Sequence, residues 1–122
     1  MYWLKTNIGK IPMTEISASD YLASLRAEQE SFLDLSFATI CGYADHGAIV
    51  HYSATEESDR QLKPESLLLV DSGGHYLEGT TDITRTFALG PVTDEMKDMF
   101  TRVCRSNMNL ANARFKEGCS GL

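Results

Sequence analysis

The stretch that most constrains this chain is the apolar run LLLV, residues 67–70, followed at once by the polar segment DSGGHYLEGTTDITRT, residues 71–86. A short continuous apolar run bounded by polar residues is typical of a strand that is buried on both faces. Further on, the apolar residues between positions 77 and 89 share one parity, which predicts a half-buried strand with a polar face. The pattern therefore places Asp71 at the end of a buried strand and Asp82 on the polar face of a following one.

The remaining residues predict helices on either side of these strands. A helix tail ends at Gly9, and a second helix begins between Thr14 and Ser19, where hydroxyl side chains can cap it. Residues 36–54 predict two strands around a turn at residues 44–47, and Thr93 caps a long helix after the last strand. The order of helix, strands and helix predicts an α+β fold.

Composition limits the classes of function that the chain can have. Its 122 residues suit one domain, and 11 basic against 17 acidic residues argue against binding to nucleic acid or anionic membranes. No apolar run is long enough to span a bilayer. Three widely spaced cysteines lack the spacing of a zinc site and favour free thiols in a reducing compartment, so we expect a cytoplasmic protein.

Asp71 and Asp82 are the strongest chemical signal, and two interpretations stay open for them. An aspartate before Gly-Gly is a common turn residue, and an aspartate on a polar strand face is commonly just exposed. Alternatively, the two carboxylates hold divalent metal ions, which remove the repulsion between them. With a turn near residues 78–79 we expect Asp82 opposite His75, which leaves Asp71 roughly 13 Å away at ~3.3 Å per residue. The metal interpretation then requires a bend at Gly73 and Gly74.

His51 is the histidine best placed for catalysis, because it closes the predicted strand GAIVHY. It is either a strand-end histidine at the surface or an imidazole that donates to a substrate carbonyl or an oxyanion. His46 in the turn and His75 in the hairpin carry weaker signals.

These motifs together resemble a known family. The segment LLLVDSGGHYLEGTTDITRTFALG, with HY before it and VTDEMKDMFTRV after it, resembles the Xaa-Pro aminopeptidases (aminopeptidase P) of the pita-bread metallopeptidase family. The segments TEISASDYLASLRAEQ and SFATICGYADHGAIVHY are similar to corresponding parts of that family. The resemblance implies a curved antiparallel sheet with flanking helices, and it favours the metal interpretation of both aspartates.

The family uses two divalent metal ions, usually manganese, to remove an N-terminal residue that precedes proline. By resemblance, Asp71 matches the terminal aspartate ligand of one metal, Asp82 the aspartate that bridges both, and His51 the histidine that assists at the scissile peptide. Thr84 matches a hydroxyl position near the centre less firmly. The family's other ligands, a histidine and two glutamates, are expected beyond residue 122.

Residues 1–122 are therefore expected to form a single partial domain, the first half of a pita-bread catalytic domain, without peptidase activity by itself. The substrate is expected to be a peptide with proline at its second position. The alternative is a metal-free pita-bread module that binds peptides or proteins, and creatinase-like hydrolysis without metal is a third hypothesis. Retention of both aspartates argues against the last two. A homodimer is expected, because a half-domain exposes the surface that would pack on its other half.

Overall fold

The computed structural model describes residues 2–121 as two compact units, residues 2–91 and residues 92–121, and each is described by itself. The described part of the first unit contains two α-helices, one short 3-10 helix and two three-stranded antiparallel sheets, so the predicted α+β class is confirmed. The helices are α1 (Tyr2–Asn7) and α2 (Glu15–Ala27), and the strands are β1 (Phe32–Leu35), β2 (Ile40–Tyr43), β3 (Leu67–Ser72), β4 (Gly74–Tyr76), β5 (Gly79–Thr80) and β6 (Ile83–Ala88).

Local signals set both helix boundaries as predicted. Gly9 follows α1 with a φ of 75°, a left-handed conformation that costs glycine little. Thr14 caps α2, and its capping box pairs it with Ser17: the Ser17 amide donates to Thr14 Oγ1 at 3.1 Å, and the Thr14 amide donates to Ser17 Oγ at 2.7 Å. The helix therefore begins at the N-terminal end of the predicted window.

Strand β3 is the centre of the first sheet, with β2 on one side and β6 on the other. This position explains its apolar run, because a central strand has side chains on two faces and no free edge. Leu68 points to the face covered by the helices and has no exposed surface. It packs in one core with Leu4 of α1, Met13, Cys41 and Tyr43 of β2, Leu62 and Leu89. Alternation along β3 then turns Asp71 to the opposite face.

The predicted strand GAIVHY is wrong. Residues 44–48 form a 3-10 helix, and His51 lies in a turn with a φ of 56°. The segment folds back on β2 so closely that a Cβ atom on Gly42 would lie 2.9 Å from the backbone of Gly47. Ile49 and Val50, which suggested the strand, are exposed. Contacts between distant parts of the chain have overridden local β propensity here.

The second unit contains one helix, α3 (Asp94–Asn112). Thr93 caps it as predicted, since its Oγ1 accepts a hydrogen bond from the Met96 amide at 3.1 Å, and Asp94 and Glu95 occupy the first turn. None of its residues is buried. Across residues 2–121, no helix has both the length and the apolar character needed to span a bilayer.

Candidate metal centre

The two parts of the hairpin that carries both aspartates share one register. Asp71 pairs with Thr84 in the first sheet, and His75 pairs with Thr80 in the second, so both pairs fit the same one-to-one count across the gap at residues 73, 81 and 82, which belong to no strand. Continuing that count puts Asp82 opposite Gly73 rather than opposite His75. Asp82 is thus diagonal to Asp71 on one face of the hairpin, a position about 7–8 Å away in a regular antiparallel pair. The expected separation of roughly 13 Å between Asp71 and Asp82 is therefore wrong, because it assumed that Asp82 lies opposite His75.

The predicted break at Gly73 and Gly74 is confirmed, but its physical reason is different. Strand β3 ends at Ser72, and Gly74 begins β4 in the other sheet. Neither glycine has a positive φ. Instead, a Cβ atom on Gly73 would overlap the Thr81 carbonyl oxygen and the Ser36 hydroxyl. The Ser36 hydroxyl donates to Thr81 O at 2.9 Å, so the missing side chain permits a close crossing of three segments.

His51, Asp71 and Asp82, which lie far apart in the sequence, line one cavity of about 450 Å³. The cavity lies on the face of the sheet opposite the helices, and its floor includes Ile40, the cross-strand partner of Asp71 in β2. Its remaining lining comes from Phe37, Ala38, Tyr52 and Ser53. The fold thus collects the three predicted site residues at one place.

Asp71 carries the clearest sign of a ligand-binding carboxylate. Its Oδ1 is buried and accepts no hydrogen bond from any described residue. An acceptor left in this condition costs roughly 1–3 kcal/mol, and a hard divalent cation would satisfy it. Asp82 is exposed, so its oxygens remain accessible from the cavity. The carboxylate oxygens of Asp71 and Asp82 are therefore suitable ligands for such a cation.

The pair is nevertheless not a complete metal site. Within residues 2–121, no three His, Cys, Asp or Glu side chains are grouped so that they could hold a metal ion. His75 does not join the aspartates in the cavity, and its Nδ1 lies 2.8 Å from Thr80 Oγ1. Thr84 is the cross-strand partner of Asp71, and its place near a metal centre stays a prediction.

A buried carboxylate, Glu15, lies next to the cavity wall and was missed by the sequence reasoning. It has no exposed surface and accepts hydrogen bonds from the Tyr43 amide at 2.7 Å, the Arg60 amide at 3.1 Å and the Tyr52 hydroxyl at 3.0 Å. His46 Nδ1 lies 2.9 Å from one of its oxygens. A glutamate in the first turn of a helix is usually explained by its favourable interaction with the helix dipole. The neighbouring sequence therefore gives no indication that this carboxylate forms the contacts described above.

The same cluster fixes the orientation of the His46 ring. Arg60 donates to His46 Nε2 at 3.0 Å, so this nitrogen is the acceptor and Nδ1 carries the proton that faces Glu15. Arg60 also pairs with Asp45. Burial, with Glu15 as a further cause, raises the pKa of the neighbouring Tyr52 above its usual range.

Antiparallel sheets with helices on one face, and a pair of aspartates on the other, define the chain as an α+β domain of the pita-bread class. It belongs to metallopeptidase family M24, whose model matches residues 1–121. The predicted resemblance and fold are therefore confirmed.

Relatives with known names support the same assignment. The chain is 43% identical over 109 residues to aminopeptidase P1 of Arabidopsis thaliana, covering 89% of this chain and 17% of that protein. It is 39% identical over 121 residues to Xaa-Pro aminopeptidase 2 of Mus musculus, covering 99% of this chain and 18% of that one. The chain thus spans less than a fifth of the length of these relatives.

Solved structures agree in fold. The X-prolyl aminopeptidase of Caenorhabditis elegans, described as a cytosolic enzyme with a di-nuclear active site, superposes with a TM-score of 0.89 at 36% identity. That match covers 98% of this chain and 20% of the other. The X-Pro aminopeptidase of Thermotoga maritima, at 22% identity and a TM-score of 0.75 over 88% of this chain and 29% of that one, shows the shared fold.

Proposed function

We propose that this chain supplies two metal-binding aspartates and one catalytic histidine to a dinuclear Xaa-Pro aminopeptidase active site. The observation that carries the proposal is the cavity lined by His51, Asp71 and Asp82, where one Asp71 oxygen is buried and has no donor among residues 2–121. The aminopeptidase names of the relatives and the di-nuclear site of the C. elegans enzyme support it. The substrate is a peptide with proline second, from which the first residue is removed.

Each residue has a separate role in this proposal. Asp71, near the end of β3, would be a ligand of one metal ion, and Asp82, directly before β6, would be a ligand of both. When bound, two divalent ions supply a nucleophilic water at neutral pH and polarise the scissile carbonyl. His51, exposed at the rim of the cavity, donates a hydrogen bond to the substrate oxygen where negative charge develops.

Residues 1–122 form the first part of a pita-bread catalytic domain in this proposal, and the other ligands come from outside the chain. The metal is manganese, which suits oxygen ligands. The protein acts in the cytoplasm, as the C. elegans enzyme is described to do.

A homodimer is proposed because large apolar side chains such as Val50 and Leu77 are mostly exposed. A strictly monomeric species in light scattering would contradict this proposal.

Manganese titration of the chain tests the aspartate pair. We expect weak binding, followed by calorimetry or by the Mn²⁺ electron paramagnetic resonance signal, because two carboxylates leave most coordination positions to water. Asp71→Asn and Asp82→Asn should each weaken it about tenfold or more, since each removes a charged ligand. Asp20→Asn is the matched control, because Asp20 is exposed on α2 and does not line this cavity, and it should leave affinity unchanged.

Two outcomes would contradict the proposal. If all three variants bind manganese like the unmodified chain, the aspartates are not the ligands. If the unmodified chain binds none, the metal-free peptide- or protein-binding module is favoured instead.

The chain alone, with manganese, should not release the first residue of an Xaa-Pro peptide, because the ligand set within residues 2–121 is incomplete.

A further inference from the structure

The turn that presents His51 is held in a conformation that its own residues do not favour. His51 has a φ of 56°, in the left-handed region that costs a residue with a side chain about 1 kcal/mol or more. Such a conformation persists only where surrounding contacts over-determine it. Two backbone hydrogen bonds shape the segment, from the Ile49 amide to His46 O at 3.1 Å and from the Tyr52 amide to Ile49 O at 3.2 Å.

Tyr52 connects this turn to the protein interior. Its backbone follows His51 at the cavity, while its buried ring lies 4.4 Å from the His46 ring, between centroids. At the far end of the ring, the hydroxyl donates to Glu15 Oε2 at 3.0 Å and also lies 3.2 Å from Ser58 Oγ. The side chain of Tyr52, the residue that follows His51, is thus held in place at its hydroxyl group.

Glu15 is suited to be the fixed end of this tether. Its carboxylate is fully buried and receives donors from β2, from the 3-10 helix and from residue 60, so it cannot move without breaking several charge-assisted hydrogen bonds. A buried charge is retained at a cost, and the cost is offset only when its hydrogen bonds are complete. Here they are complete, because donors approach both oxygens.

We propose that Glu15 is a positioning residue for His51: its buried carboxylate anchors the Tyr52 hydroxyl and thereby holds the left-handed turn that presents the imidazole to the cavity of Asp71 and Asp82. The function of His51 itself rests on the proposed aminopeptidase site. The anchoring is a property of this chain alone and is measurable without metal or substrate.

The decisive variant is Tyr52→Phe, which removes the anchored hydroxyl and keeps the ring. Tyr43→Phe is the matched control, because Tyr43 is equally buried and its hydroxyl contacts Glu65 O at 3.3 Å, away from the Glu15 carboxylate. We expect amide hydrogen exchange at Ile49 and Tyr52 to be about tenfold faster in Tyr52→Phe and unchanged in Tyr43→Phe. A tenfold change corresponds to about 1.4 kcal/mol of local opening free energy, the size expected for one buried hydrogen bond.

A second variant separates Glu15 from Ser58 as the anchor. Glu15→Gln keeps the shape of the side chain but turns one oxygen into an amide NH₂ that faces donors, so it should accelerate exchange at the same two amides. The Leu68 amide in β3 reports on global unfolding and should exchange no faster than the measured loss of overall stability requires. Acceleration in Tyr52→Phe without acceleration in Glu15→Gln would assign the anchor to Ser58 and overturn the proposal.

Relaxation by bound Mn²⁺ gives a readout that a purely structural role would not change. In the unmodified chain, Mn²⁺ should broaden the His51 ring protons together with the Asp71 and Asp82 amides. In Tyr52→Phe, the two amides should still broaden while the His51 broadening falls. Equal broadening of His51 in both proteins would overturn the proposal. If Mn²⁺ broadens none of these signals in the unmodified chain, the proposed metal site fails, and metal-free exchange alone then decides the anchoring.

Discussion

At the scale of single residues, Asp71 combines two properties that a stable fold would avoid. One carboxylate oxygen is buried without a donor from the described part of the chain, and a second carboxylate, Asp82, lies on the same face of the hairpin and lines the same cavity. Both properties lower stability unless a cation is present, since two negative charges at this separation repel each other. Asp71 therefore lowers the free energy of unfolding of the metal-free chain, as is common for side chains that bind a ligand.

Replacing Asp71 with asparagine should therefore stabilise the metal-free chain. Asp71→Asn removes the charge repulsion and lowers the desolvation cost while keeping the side-chain shape, so we expect the free energy of unfolding to rise by about 1 kcal/mol. Urea denaturation in the presence of a chelator measures this change. Asp20→Asn is the control and should stay within about 0.5 kcal/mol. A clear loss of stability in Asp71→Asn would show that the carboxylate has a structural partner.

At the scale of secondary-structure elements, the sequence predicted features that depend on neighbouring residues and missed those that depend on distant ones. Thr14 and Thr93 cap their helices because a cap needs only the next three residues. Alternation placed Asp82 on a polar strand face, and the end of the apolar run placed Asp71 at a strand end, for the same local reason. The segment GAIVHY could not be predicted, because its turn forms against Gly42 and because its Tyr52 hydroxyl donates to Glu15, 37 residues away in the sequence.

The break at Gly73 was predicted correctly but for the wrong physical reason. A substitution at Gly73 distinguishes the predicted reason from the one that the structure gives. If the glycine served only to bend the chain, Gly73→Ala would cost little, because its φ is not positive. The structure instead predicts overlap with the Thr81 carbonyl, which is backbone and cannot rotate away. We expect Gly73→Ala to destabilise the chain by about 2 kcal/mol or more, within the range for overpacking.

Thermal or urea unfolding of Gly73→Ala measures that cost, and Gly121→Ala is the matched control because a Cβ atom at Gly121 would have no atom of the described residues within 4 Å. The control should unfold like the unmodified chain. Equal stability of the two variants would mean that the strands near Gly73 separate easily, and the close crossing would then not hold β3 and β4 in place.

At the scale of the molecule, the core of the first unit contains groups that resist ionisation. Burial raises the pKa of the Cys41 thiol to about 12, with Glu15 and Asp59 as further causes, and burial also raises the pKa of Tyr43 and of Tyr52. Glu15 is a further cause of the raised pKa for Cys41 and Tyr52, whereas Glu65 is one for Tyr43. The buried charge that anchors the His51 turn thus disfavours a second negative charge on Cys41 or Tyr52. The core is therefore built for the neutral forms of these side chains.

This arrangement predicts that stability falls as the pH rises. Between about 8.5, the usual thiol pKa, and about 12, the unfolded chain loses the Cys41 proton while the folded chain keeps it. The unfolded state then binds fewer protons, so the free energy of unfolding decreases with pH, by up to about 1.4 kcal/mol per pH unit for this thiol. Its full contribution is present below the unfolded pKa and is lost as the pH rises through the folded one.

Urea unfolding at pH 7.5, 9.0 and 10.5 measures the decline, and Cys41→Ala isolates the thiol because alanine does not titrate. The variant should be less stable at pH 7.5, since it leaves a cavity beside Leu68, but its stability should fall less steeply with pH. Cys104→Ala is the control, because Cys104 is exposed and should leave the pH dependence unchanged. If Cys41→Ala and the unmodified chain lose stability in parallel up to pH 10.5, the buried thiol ionises as easily as a free one, and the core around Glu15 must admit water.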